Sequence, residues 1–576
     1  MTKSPYSKWR LFIDIARGKE KAEKCFRNVK IVNPLTGQIE ETDFAVHEGI
    51  IVGCGDYDAH ENIDCRGSYA CAGFIEGHIH IESSLLTPEG FAESVAPWGT
   101  TTVIADPHEI ANVCGTEGIS YVLDAARLVA HIVDIFVMLP SCVPASPLET
   151  SGAKLDAVDL FDLARDERVL GLGELMNFPG VLSADKSIWE KVFLFSDCSI
   201  DGHSPFLSGK DLNAYILAGV QSDHECTRLE EAREKLSRGM WIMIREGSQT
   251  KDLENLISLV DDTTWHRCLF VSDDRHPDDL LRLGHLNIQV NSAMELGLSP
   301  VRALTLATWT PALAFGLKDR GAIIPGMLAD FSLSPTLKPW VPERVFKRGC
   351  EVARNGKLIE ACSVRAPKPQ SPMKIDIVTP SYFAVKAQGS HIRVIGLKEN
   401  SIVTESLIEP VTVRDGMAVS DPDRDILKVA VWNRYEPGTL PVVGFCKGLG
   451  LKRGALASTV AHDNHNLIVV GTSDELMAVA AEALRKVCGG LAVAASPDDV
   501  LILPLEVAGL MTDAPLEVVA HRLEELKEKA RLLGSSMENP FMALSFLALP
   551  VIPFLKITDR GLVDVEQFSF VPLFVD

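Results

Sequence analysis

From Gly73 to Asp274 the chain alternates short apolar runs with amphipathic stretches, so the spacing of its apolar positions switches between strand-like and helix-like. The runs are "TTTVIAD", "HIVDIFVML", "RVLGLGEL", "CSIDGHS", "GVQSDHE", "GMWIMIRE" and "RCLFVSD", preceded by the stretch "GFIEGHIHIESS". Between them lie helical patterns such as "TEGISYVLDAARLVA" and "ECTRLEEAREKLSRG", the second ending in a glycine suited to a helix C-terminus. Eight strand and helix units in about 240 residues predict a (β/α)8 barrel, whose active site lies where the strands end. In the opening stretch Glu76, His78, His80 and Glu82 fall on alternate positions, and a strand would put all four on one face.

The flanks have a different texture. "NVKIVNPLTGQIEETDFAVHEGIIVGCG" alternates apolar and polar residues between Asn-Pro, Thr-Gly and Glu-Gly turns, and "GAIIPGMLADFSLSPTLKPWVPERVFKRGCEVARNGKL" returns to the same pattern after the barrel. The two pieces are expected to form one small β-sandwich domain with the barrel inserted. The Pro- and Lys-rich "VRAPKPQSPMK" reads as a linker. After it, alternating strands ("SHIRVIGL", "NLIVVGT") mix with helices ("SDELMAVAAEALRKVCGG", "LEVVAHRLEELKEKARLLG"), an α+β pattern. The predicted fold class is therefore α/β, with domains over 1–72 (N-terminal segment and first part of the β domain), 73–318 (barrel), 319–365 (rest of the β domain) and 366–576 (C-terminal α+β).

Composition narrows the function. Seventy-eight acids against 56 bases give a net charge of -22, which repels polyanions and excludes a nucleic-acid partner. The apolar "ALSFLALPVIPFL" is broken by prolines and is shorter than the roughly 20 residues of a membrane span. The first residues lack the apolar core of a signal peptide, so a cytoplasmic location is expected. Thirteen cysteines with no C-x-x-C fit reduced thiols and not a disulfide framework or structural zinc site.

The chemistry gathers at the predicted strand ends: His78 and His80 on the first, Glu174 on the fourth, His203 on the fifth, His224 on the sixth and Asp273 on the eighth. Imidazole and carboxylate suit divalent zinc, iron or manganese, and six such ligands exceed what one tetrahedral ion needs. Two ions bridged by Glu174 would use them all. A hydrogen-bonded core is the plainer reading of any one of these histidines, but not of the set. "DPHE" at the end of the second strand adds His108 and Glu109, which otherwise read as helix-capping residues. "AHDNHN" holds His462, Asp463 and His465; a second metal site is one reading, and a solvated loop or a contact at the barrel mouth is simpler.

These residues resemble the amidohydrolase superfamily, and segments such as "GHIHIESSLLTPEGFA", "TTTVIADPHEIANVCG", "SDDRHPDDLLRLGHLN" and "NPFMALSFLALPVIPFLKITDRGLVDV" resemble the adenine deaminase family in particular, over about residues 26 to 570. The resemblance implies hydrolysis of adenine to hypoxanthine and ammonia at two divalent ions, manganese or iron foremost and zinc compatible. Many members of the superfamily bridge their ions with a modified lysine, where this chain has Glu174. The metal set is then His78, His80, Glu174, His203, His224 and Asp273. Attack on the purine C6 needs a proton shuttle, assigned to Asp273, and a proton donor to ring N1, assigned to Glu109 with His108 orienting the substrate. Adenine and further copies of the chain are the expected partners, with no nucleic acid and no membrane. The alternatives are another amidohydrolase acting on a cyclic amide or related aminopurine, and a catalytically silent scaffold. The H-x-E spacing at His80 to Glu82 also occurs in cytidine-type zinc deaminases, but their P-C-x-x-C partner is missing.

Overall fold

The eight apolar runs fold as strands in the computed structural model, which describes residues 5–399, 401 and 403–575. They are β1 (Phe74–Ile79), β2 (Thr100–Ala105), β3 (Asp134–Leu139), β4 (Val169–Leu175), β5 (Ser199–Gly202), β6 (Ser222–Asp223), β7 (Trp241–Arg245) and β8 (Cys268–Val271). β1 to β5 pair in parallel and in chain order, and β6 to β8 form a second parallel sheet. Every residue of β2, β7 and β8 is buried, which is why these runs read as apolar without alternation.

The sheets curl toward each other at both seams. At the ends of β1 and β8, Asp273 N donates to His78 O at 3.0 Å and His80 N to Asp273 O at 2.9 Å. At the other seam Gln221 N donates to Ile200 O at 3.0 Å. Inside the curl Ile75, Ile104, Met138, Met243, Leu269 and Val271 share one buried cluster with Phe315. The first strand is shorter than its alternation suggests. It stops at Ile79, and Ile81–Ser84 turns into a single 3-10 turn, so Glu82 leaves the face that Glu76 and His78 occupy.

Strands from both flanks share one nine-stranded sheet, in which Tyr69–Ala72 pairs antiparallel with Phe331–Ser334. Phe26, Phe44, Phe331 and Phe346 stack at its centre. The proline-rich stretch after it forms no helix or strand, but it is tied down: Arg365 Nη1 donates to Glu93 Oε1 at 2.9 Å and Ala366 N to Glu89 Oε1 at 2.7 Å.

The third region is a second nine-stranded sheet with helices Asp474–Val487, Leu516–Leu532 and Pro540–Leu547. Its apolar face is continuous with the helix Pro88–Val95, which lies between β1 and β2 in the chain: Leu86, Phe91 and Val95 belong to the same buried cluster as Leu427, Ile468, Leu523 and Leu544. The ion pair Asp278–Lys527 (2.6 Å) joins the helix Pro277–Arg282 to Leu516–Leu532. Among the described residues no helix is long and apolar enough to cross a membrane.

Candidate active site

The C-terminal ends of the strands bring all six predicted ligands to one cluster, buried except for the half-buried His203. His78 lies within β1 and Glu174 within β4, His80, His203 and His224 directly follow β1, β5 and β6, and Asp273 lies two residues past β8. Glu174 stands at the centre. Its Oε1 faces His80 Nε2 at 3.1 Å and His108 Nδ1 at 3.3 Å; its Oε2 faces His203 Nδ1 at 2.6 Å and His224 Nε2 at 3.3 Å. One carboxylate thus addresses two separate groups of histidines. Burial works to raise the Glu174 carboxyl, but His203 and its other imidazole neighbours outweigh that and hold it well below the usual range.

Asp273 divides its oxygens in a similar way. Oδ1 lies 3.2 Å from His80 Nε2 and 3.6 Å from His78 Nε2, while Oδ2 accepts from Arg245 Nη1 at 2.9 Å. Arg245, on β7, also donates to Glu225 and, through Nε, to Asp252 Oδ2 at 3.1 Å. Asp273 has φ 60°, a left-handed conformation rare for a residue with a Cβ and typical of constrained functional positions.

The residues fit divalent metal binding on structural grounds. His80 Nδ1 faces the carbonyl oxygen of Asp106 at 3.0 Å, so that nitrogen carries the proton and Nε2 keeps its lone pair toward Glu174 and Asp273. The buried nitrogens His78 Nε2 and His108 Nδ1 have no hydrogen-bond partner, an expensive arrangement without a cation or water. Trios His78, His224, Asp273 and Glu174, His203, His224 each place their ligand atoms within 4.8 Å of one another.

His108 and Glu109 start the helix after β2 and are buried beside this cluster. Sequence placed Glu109 as a proton donor; in the structure both of its oxygens are engaged, Oε1 by His462 Nδ1 and Oε2 by His465 Nε2. Burial works to raise its carboxyl, but His462, then His465 and His108, hold it well below the usual range, so Glu109 is a carboxylate here and any proton it passes on must come from a neighbour. "AHDNHN" is accordingly a buried contact at the mouth and not a solvated loop.

Several residues escaped the sequence reading. Asp106 accepts from Glu174 N at 2.9 Å and from His108 N at 3.2 Å, linking β2 to β4. Glu225 lies 3.5 Å from His224 Nε2. The adjacency in "ADPHE" and "SDHE" was the available signal for both. Glu76, grouped with the histidines by alternation, belongs to a separate network below them: it accepts from Ser272 Oγ at 2.7 Å and lies 3.1 Å from His285 Nε2.

A cavity of about 830 Å³ opens beside the cluster, within the usual size of ligand sites. Glu225, Arg245 and His276 line it from the side of the parallel sheets, and Val403, Lys527 and Asn539 from the third region.

Comparison with known proteins bears directly on this centre. The amidohydrolase family profile matches residues 69–355, and the adenine deaminase C-terminal domain matches residues 401–569. The adenine deaminase of Syntrophobacter fumaroxidans is 54% identical over 566 residues, covering 98% of each chain. The chain belongs to the adenine deaminase family. Adenine deaminase 2 of Carboxydothermus hydrogenoformans is 46% identical over 97% of this chain and 98% of its own. The adenine deaminase of Methanoculleus marisnigri is 49% identical over 92% and 99%. The matched regions of this family member contain both the strand-end ligands and the His462–His465 segment that closes on Glu109.

Proposed function

We propose that this chain, a (β/α)8 barrel set in a small β sandwich and closed over by a C-terminal α+β domain, hydrolyses adenine to hypoxanthine and ammonia. The observation that carries this reading is Glu174 facing two groups of imidazoles with its two oxygens. His78, His80, Glu174, His203, His224 and Asp273 would hold two divalent ions, manganese or iron foremost. Bound there, such ions supply a Lewis acid that brings the pKa of water near neutrality. The chain's own groups do the rest. Asp273, kept charged by Arg245, takes the proton of the attacking water and returns it to the departing amine. Glu109, its carboxylate held in place by His462 and His465, relays a proton to ring N1, and the proton left on the C6 oxygen restores it as the carbonyl forms. His108, between Glu109 and Glu174, orients the ring. The third region covers the mouth and excludes bulk water from the charged cluster.

The test is ammonia release from adenine, adenosine, guanine and cytosine by manganese-loaded protein, with metal analysis of the same preparation. Turnover of adenine and about two metal equivalents are expected, both lost together in His78→Ala and Glu174→Ala. Release from another base in place of adenine, or full activity without bound metal, would count against the proposal.

A further inference from the structure

Glu109, His462 and His465 place three buried ligand-type side chains at one point, which is also what a further ion would need. The backbone around His465 decides between an ion and a hydrogen-bonded clamp. Ala461 N donates to His465 Nδ1 at 3.2 Å, so Nδ1 is the acceptor and the proton of the neutral ring sits on Nε2. That Nε2–H donates to Glu109, and a nitrogen carrying a proton has no lone pair left for a cation. Burial pushes His465 down to about 4 against the pull of Glu109, in keeping with a neutral ring.

The segment carrying the two histidines is held from both sides. Arg434, fully buried, donates through Nε to His465 O at 2.6 Å and through Nη2 to Ala508 O at 2.8 Å, within the third region. Toward the barrel, Asn464 Nδ2 donates to Glu149 Oε2 at 2.7 Å and Asn466 Nδ2 to Thr150 O at 2.8 Å. His465 itself has φ 52°, a conformation that persists where the surroundings over-determine it. Such a segment is built to keep its rings in one place.

We infer that His462 and His465 are positioning residues for the deamination: reaching over from the third region, they fix the Glu109 carboxylate, and through it the placement of His108 against Glu174. This rests on the reading of the site as an adenine deaminase. Misplacing a reacting group by about 1 Å costs on the order of 10²-fold, so the effect should be large and confined to turnover.

The experiment compares manganese-loaded His465→Leu and His462→Leu with His465→Gln and His462→Asn, whose amide N–H groups stand near the original Nε2 and Nδ1. The leucine variants are expected to lose kcat by about 10- to 100-fold with KM changed less than about 2-fold and metal content kept, and the amide variants to regain most of the loss. Leucine variants turning over at the wild-type rate, or amide variants no better than leucine, overturn the inference. If a leucine variant does not fold, His465→Gln is combined with Glu109→Gln: any deficit of His465→Gln should vanish in the Glu109→Gln background, and full additivity overturns the coupling. Two readouts need no substrate. Histidine-labelled ¹⁵N spectra, compared between wild type and His465→Gln, should show the His465 proton on Nε2; a proton on Nδ1 overturns the clamp, as does a third metal equivalent that His465→Gln removes. A wild-type enzyme inert toward adenine would count against the deaminase reading, while these two readouts still judge the clamp.

Discussion

At the scale of single residues, Asp273 shows how the site sets one carboxylate to two tasks. Its Oδ1 faces His80 and His78, and its Oδ2 is pinned by a guanidinium that is itself shared with Glu225 and Asp252. Asparagine has the same shape and can still meet Arg245 through its carbonyl oxygen, but it cannot take up a proton. Asp273→Asn should therefore fold, with a thermal midpoint near that of the wild type, and lose kcat by about 10² to 10⁴-fold. Calorimetry beside a steady-state ammonia assay checks both halves. The six clustered residues stood out in the sequence because each sits at the end of an apolar run, where a polar group is conspicuous. Arg245 did not, since an arginine closing a strand usually carries its charge to water, and nothing in "WIMIRE" tells that three carboxylates surround it.

Among elements, β4 leaves little room beside Glu174. Gly173 packs directly on Asp106: a Cβ there would lie 2.2 Å from Asp106 Oδ2, the same oxygen that accepts from Glu174 N. Gly173→Ala must displace either the strand or the carboxylate that fixes Glu174. We expect about 1 to 3 kcal/mol of destabilisation together with a fall in bound metal, measured by denaturant unfolding and metal analysis; an unaltered metal content would show that Asp106 does not position Glu174. The eight strands and the helices "TEGISYVLDAARLVA" and "LEVVAHRLEELKEKARLLG" could be read from periodicity, as local pattern mirrors burial. The bend after Ile79 could not, because "HIHIESS" alternates straight through a point where the chain turns for reasons of tertiary contact, Ile110 N donating to the Glu82 carboxylate at 3.0 Å.

On the scale of the whole molecule, the third region shares a core with the helices flanking the curled parallel sheets and reaches into the candidate site. Leu86, Phe91 and Val95 are buried against it, and the partners of Glu109 come from 353 and 356 residues further along the chain, a distance no local pattern reveals. Removing residues 366–576 should expose that apolar face and release Glu109, giving a chain that aggregates or loses its metal and its activity. A truncated protein that stayed soluble, kept both ions and deaminated adenine at the full rate would refute this. The nine-stranded sheet built from both flanks has a further consequence, for the chain as it is made. Tyr69–Ala72 can pair early with Lys30 and Ile31, but the partner for its other edge, Phe331–Ser334, is synthesised about 260 residues later. At roughly 5 to 20 residues per second this leaves a strand edge open for about 10 to 50 s. Throughout that interval the nascent protein carries half a sheet whose completion depends on the eight parallel strands emerging between its two parts.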